Sequence, residues 1–95
     1  MAIDLALPKQ LADAGWRVKI SDKETVEPPH VTVIKRTNRW RWNLRDQAFM
    51  DRRPDPGEVP RELVAYLDEN LATLVKAWDG MYPWNPVKGE EDGDE

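Results

Sequence analysis

The sequence predicts an α+β fold: a short N-terminal helix, a three-stranded antiparallel β-meander, and one long amphipathic C-terminal helix packed on the sheet. Three observations lead there. Residues 16–21 and 39–45 alternate apolar and polar side chains with period two, the mark of a half-buried strand. Residues 30–36, between them, are rich in β-branched side chains. Residues 60–79 place Leu63, Val64, Tyr66, Leu67, Leu71, Leu74, Val75 and Trp78 on one side of a helix.

Taken in order, residues 7–15 read as the short helix, with Pro8 in its first turn and Gly15 as its stop. Residues 16–21 form the first strand. A polar loop follows and ends in Pro28-Pro29, which fix an extended backbone and cannot sit inside a paired strand. Thr37-Asn38 joins the second and third strands as a hairpin, or residues 36–39 do so as a longer loop. Both lengths are even and pair the strands with the same parity. Residues 47–59 contain Pro54, Pro56 and Gly57 and form a loop, in which residues 48–50 could add a short edge strand. Pro60 opens the long helix, Glu62 suits the positive end of its dipole, Gly80 supplies its stop and Pro83 forbids continuation. Residues 81–87 are an aromatic extended segment expected to fold back on the core. Residues 1–87 thus form a single domain, and the last six residues, with five acids and nothing apolar, end a disordered acidic tail over 88–95.

Pairing the hairpin around Thr37-Asn38 sets Arg36 opposite Arg39 and separates two faces. One is Trp16, Val18, Ile20, Val31, Val33, Trp40, Trp42 and Leu44, and the helix stripe is its natural cover. The other is Arg17, Lys19, His30, Thr32, Ile34, Arg36, Arg39, Arg41, Asn43 and Arg45, with six cations and no acid. Like charges opposed on paired strands are destabilising, and a face selected for solubility alone mixes signs. An anionic partner would compensate that repulsion. The net charge of −4 hides the bias: residues 30–53 carry seven cations against two acids, while residues 54–95 carry three against eleven.

Composition excludes several function classes. With no cysteine, disulfides and thiolate metal sites are out; with one histidine, His30, so is a multi-histidine metal site. No apolar run is long enough to span a bilayer, and the first residues lack a signal-peptide pattern, so a cytoplasmic protein is expected. There is no Gly-rich phosphate loop and no cofactor motif. The favoured reading is a non-enzymatic binding module. Its basic sheet face, carrying Arg17, Lys19, His30, Arg36, Arg39, Arg41, Asn43 and Arg45, would meet nucleic acid or an acidic protein segment. A small toxin-like ribonuclease using Arg36, Arg41, Arg45 and His30 is the alternative, and a purely structural interaction domain is a third. The oligomeric state stays open.

The stretch Pro28-Pro29-His30-Val31-Thr32-Val33 resembles the hallmark of a small bacterial family of unknown function, whose usual wording is Pro-Pro-His-Phe-His-Val. The resemblance continues in the Gly-led strand from residue 15 and in the proline-started helix with a late tryptophan, followed by a proline-containing tail. It implies a setting, not a mechanism: members are often encoded beside another small protein in pairs resembling toxin–antitoxin modules, so a neighbour-encoded partner is implied here. Val31 and Thr32 replace the motif's second aromatic and second histidine, so only His30 carries over.

Overall fold

The computed structural model describes residues 3–20 and 28–87. Its chain runs β1 (Ile3–Leu5), α1 (Lys9–Asp13), β2 (Trp16–Ile20), β3 (His30–Lys35), β4 (Asn38–Asn43), β5 (Ala48–Phe49), a 3-10 turn (Pro56–Glu58), α2 (Arg61–Glu69) and α3 (Leu71–Met81). The class is α+β, but the predicted three-stranded meander with one long helix is overturned on both counts. The sheet has five antiparallel strands in the order β1-β2-β3-β4-β5. The C-terminal helix is two helices. The expected acidic tail over 88–95 lies outside the described residues.

The two extra strands are short and peripheral. β1 pairs Ile3, Asp4 and Leu5 with Ile20, Lys19 and Val18. β5 pairs only Phe49 and Ala48, with Trp42 and Asn43. β5 is the short edge strand that residues 48–50 offered, whereas the three residues of β1 carry too little pattern of their own and form because β2 offers free backbone groups.

The hairpin turn is Arg36-Thr37, with Lys35 opposite Asn38 and Arg36 in the left-handed region at φ 58°. This is a two-residue shift from the predicted register. Faces are unchanged, because side chains alternate with period two. Cross-strand neighbours do change: Arg39 opposes Ile34, Arg41 opposes Thr32, and the expected Arg36–Arg39 opposition does not form. Gly15, at φ 98° between α1 and β2, and Gln47, at φ 53° between β4 and β5, are also left-handed.

Helix α2 ends and α3 begins at Asn70, whose φ of −104° and ψ of 16° depart from helical values. Its side-chain Nδ2 donates to the Tyr66 carbonyl at 2.8 Å, in competition with its own backbone N–H, which donates to Tyr66 at 3.0 Å and Leu67 at 3.2 Å. A side chain that bonds the carbonyl four residues back bends a helix. The periodic stripe runs through the kink without a break, so nothing in the apolar pattern announces it. The second helix also runs through Gly80, the predicted stop, to Met81, and Pro83 terminates the run.

The core is the apolar sheet face packed against Leu63, Leu67, Leu74 and Trp78, with Leu11, Val59, Tyr82 and Val87 completing it. Two irregular segments are drawn in by indole N–H groups. Trp40 Nε1 donates to the carbonyls of Pro54 (3.0 Å) and Asp55 (3.2 Å), and Trp78 Nε1 donates to that of Asn85 (2.7 Å). Leu67 is fully buried near the middle of the stripe. Leu67→Ala should therefore cost about 2–5 kcal/mol, read as a lowered urea midpoint with an unchanged slope.

Candidate anion-binding surface

The turn Arg36-Thr37 projects Arg36 from one end of the sheet, and Arg39 is exposed in the first turn-proximal residues of β4. The next odd residue of β4, Arg41, is used differently. Its backbone N–H donates to Asp51 Oδ2 at 2.9 Å, and its guanidinium grips the same carboxylate through Nη2–Oδ1 at 2.7 Å and Nε–Oδ2 at 3.1 Å. Such bidentate, charge-assisted contacts are the strong class of hydrogen bond. The Arg41 hydrogen bonds outweigh burial and hold the Asp51 carboxyl below the usual carboxylate range.

This pair fastens residue 51 to residue 41, and the Trp40 indole fastens residues 54 and 55 to residue 40. Arg52 and Arg53 lie between those anchors and are exposed, so they are held beside the strand that carries Arg39. Arg36, Arg39, Arg52 and Arg53 make no ion pair among the described residues. Arg17 and Lys19 flank them from β2. Arg17 Nη2 stands 3.7 Å from Asp4 Oδ1, both side chains more than 60% exposed, a solvated pair worth little. Between these cations the side chain of Ile34 is only 7% exposed.

The predicted binding residues thus divide. Arg17, Arg36 and Arg39 reach solvent and Lys19 does so in part. Arg45, though exposed, donates from its guanidinium to the carbonyls of Pro86 (2.7 Å) and Val87, tying the chain after α3 to the end of the sheet. Asn43 Oδ1 accepts from the backbone N–H groups of Arg45 (2.7 Å) and Asp46 (2.9 Å) and so shapes a turn. His30 is 2% exposed. Its Nδ1 lies 2.9 Å from the Pro28 carbonyl, which can only accept, so Nδ1 carries a proton. Its ring packs 5.7 Å from that of Trp78. An imidazole in that position cannot reach a phosphodiester from solvent, which removes the acid–base group of the ribonuclease reading. The Pro28-Pro29-His30 stretch is a packing element here: Pro29 is buried, and its carbonyl accepts from the Leu44 N–H at 2.9 Å.

The face also carries acids that a three-stranded sheet lacks. Asp4 comes with β1, opposite Lys19, and Asp51 comes with the loop beyond β5. Arg52 and Arg53 went unplaced in the sequence because a Pro-rich loop has no periodic pattern; their position follows from the long-range contacts of Asp51 and Pro54. Among the described residues no three His, Asp or Glu gather as metal ligands, and no helix is long and apolar enough to cross a membrane. Comparison with protein-family models, with curated proteins and with solved structures gave no match.

Because the Asp51 carboxyl is held low in the folded protein, its contribution is present above the unfolded carboxylate pKa, about 3.9. It is lost as pH falls through the lower folded value. Asp51→Asn should reduce stability at pH 7 by about 1–2 kcal/mol. The gap from wild type should close as unfolding is measured progressively below about pH 4. A gap that stays constant to about pH 2 would show that the carboxylate charge contributes nothing.

Proposed function

We propose that this protein is a non-enzymatic, cytoplasmic binding module that holds the phosphate backbone of a nucleic acid on the hairpin end of its sheet. One observation carries the reading. Arg36 and Arg39 at the hairpin end, and Arg52 and Arg53 on the loop fastened beside β4, are exposed and make no ion pair among the described residues, while Arg41 and Arg45 serve the fold. Guanidinium groups match phosphate geometry and remain charged at every physiological pH. Arg17 and Lys19 extend the patch over the adjacent strand.

An acidic protein segment is the second partner class. It is less favoured because protein interfaces centre on buried apolar or aromatic anchors. The large hydrophobic side chains that stand exposed among the described residues, Ile3 and Trp84, are not on this end of the sheet. Phosphate contacts position a nucleic acid without reading its bases, so modest sequence preference is expected. The paired-gene setting implied by the Pro28–Val33 resemblance fits a small protein that also meets a neighbour-encoded partner, and that partnership is part of the proposal.

The test is a fluorescence titration of labelled RNA, DNA and an acidic polypeptide at two salt concentrations. Wild type should bind the nucleic acids with a steep salt dependence and bind the polypeptide weakly. Replacing Arg36, Arg39, Arg52 and Arg53 together by Gln should leave the melting temperature unchanged. It should lower the salt slope by roughly 0.7–0.9 for each phosphate the variant no longer neutralises. Unchanged binding by that variant, or tighter binding of the polypeptide, would overturn the reading.

A further inference from the structure

At the same end of the sheet, on the side away from Arg39, lies an open recess of about 270 Å³ lined by Trp16, Lys35, Arg36, Asn38, Trp40 and Glu58. Its size is near the low end of small-ligand sites and suits a single sugar–phosphate unit. Its chemistry is unusual for a plain surface hollow. Lys35 and Arg36 supply positive charge, and Glu58 faces the same space, yet no ion pair closes between them among the described residues.

Glu58 is not free to swing across by moving its backbone. It ends the 3-10 turn, its N–H donates to the Asp55 carbonyl at 3.0 Å, and Asp55 in turn caps that turn through Gly57 N–H at 2.9 Å. The Asp55 carbonyl also accepts from Trp40 Nε1, so the whole turn is registered against β4. On the other wall, Lys35 Nζ sits 4.9 Å from the Trp16 ring centroid, over its face. A ring already covered by a cation, and largely buried, offers no platform for a base. The recess therefore selects by charge and hydrogen bonding rather than by stacking. A ligand that fills it must bring an anion for Lys35 and Arg36 together with a hydroxyl donor for Glu58. A carboxylate accepting from a ribose hydroxyl is a recurrent way to recognise that sugar.

From this we infer that the recess holds a ribose with its phosphate, so that the nucleic acid bound by this protein is RNA, distinguished from DNA by its 2′-hydroxyl. The inference rests on the phosphate-binding reading above and adds the identity of the sugar. Lys35 and Arg36 contact the phosphate. Glu58 accepts from the 2′-hydroxyl, and Asn38 is placed to bond the sugar edge. The 2′-hydroxyl is the group by which proteins tell the two polymers apart.

The experiment compares three short single strands of one sequence: RNA, DNA, and 2′-O-methyl RNA, which keeps the RNA-like sugar pucker but cannot donate. Wild type should bind RNA about tenfold more tightly than the other two, the worth of one charge-assisted hydrogen bond. Glu58→Ala should bind RNA and DNA equally, with DNA affinity equal to or above wild type because an acid has been removed. A thermal melt of the variant checks that folding is intact. Equal binding of RNA and DNA by wild type, or an RNA preference that survives Glu58→Ala, would overturn the inference while leaving the basic surface standing. If neither polymer binds with a steep salt dependence, both readings fall together.

Discussion

Two buried indole N–H groups organise everything irregular in this protein. Trp40 and Trp78 are almost completely inaccessible, so each needs an acceptor inside the fold. The acceptors are the carbonyls of Pro54 and Asp55 for Trp40, and of Asn85 for Trp78. Each bond pins a loop that has no regular structure of its own. The first brings residues 51–58 against β4 and sets Arg52, Arg53 and Glu58 in place. The second turns the chain after α3 back across the core, stacking Tyr82 on Trp78 at 4.2 Å between ring centroids.

Charge reinforces the same two attachments. Arg41 meets Asp51 beside the Trp40 contact, and Arg45 meets the Pro86 and Val87 carbonyls beside the Trp78 contact, where Asp79 also accepts from the Val87 N–H at 2.9 Å. Each loop is thus held by one indole and one guanidinium. A basic sheet face of this size is a mixture of two kinds of arginine. Those whose guanidinium finds an oxygen within the chain act as fasteners. Those at the hairpin end close no ion pair among the described residues and stay exposed. The division has a geometric cause. Arg41 and Arg45 lie where a described loop passes, while Arg36 and Arg39 lie at and beside the turn that joins β3 to β4.

The elements with strong internal pattern were legible in the residues. Alternation over 16–21 and 39–45, β-branching over 30–36 and the apolar stripe of 60–79 placed three strands, the helical region and the apolar face, because a periodic run reports its own burial. Hairpin parity also survived a register shift of two residues. The helix kink escaped because Asn70 falls in the gap of the stripe. Its effect works through one hydrogen bond to Tyr66 that any polar residue in that gap could have left unmade. In the candidate site, Arg17, Lys19, Arg36 and Arg39 were visible as cations on the polar face. Alternation alone could not separate them from Arg41, Arg45, Asn43 and His30, which the fold consumes.

By itself the sequence determined which side chains had to leave water, since hydrophobic periodicity is local and is set by strand and helix geometry. It also determined the sign of the charge along each stretch. Tertiary structure alone decided which charges stay available. β1 forms on the open edge of β2 and brings Asp4 to a face whose three central strands carry no acid. Arg52, Arg53 and Glu58 take their places from contacts ten or more residues away in the chain, through Asp51 to Arg41 and through Pro54 and Asp55 to Trp40. A hydrogen bond between distant segments leaves no trace in the pattern of either one, so the exposed basic surface appears only when the chain is folded.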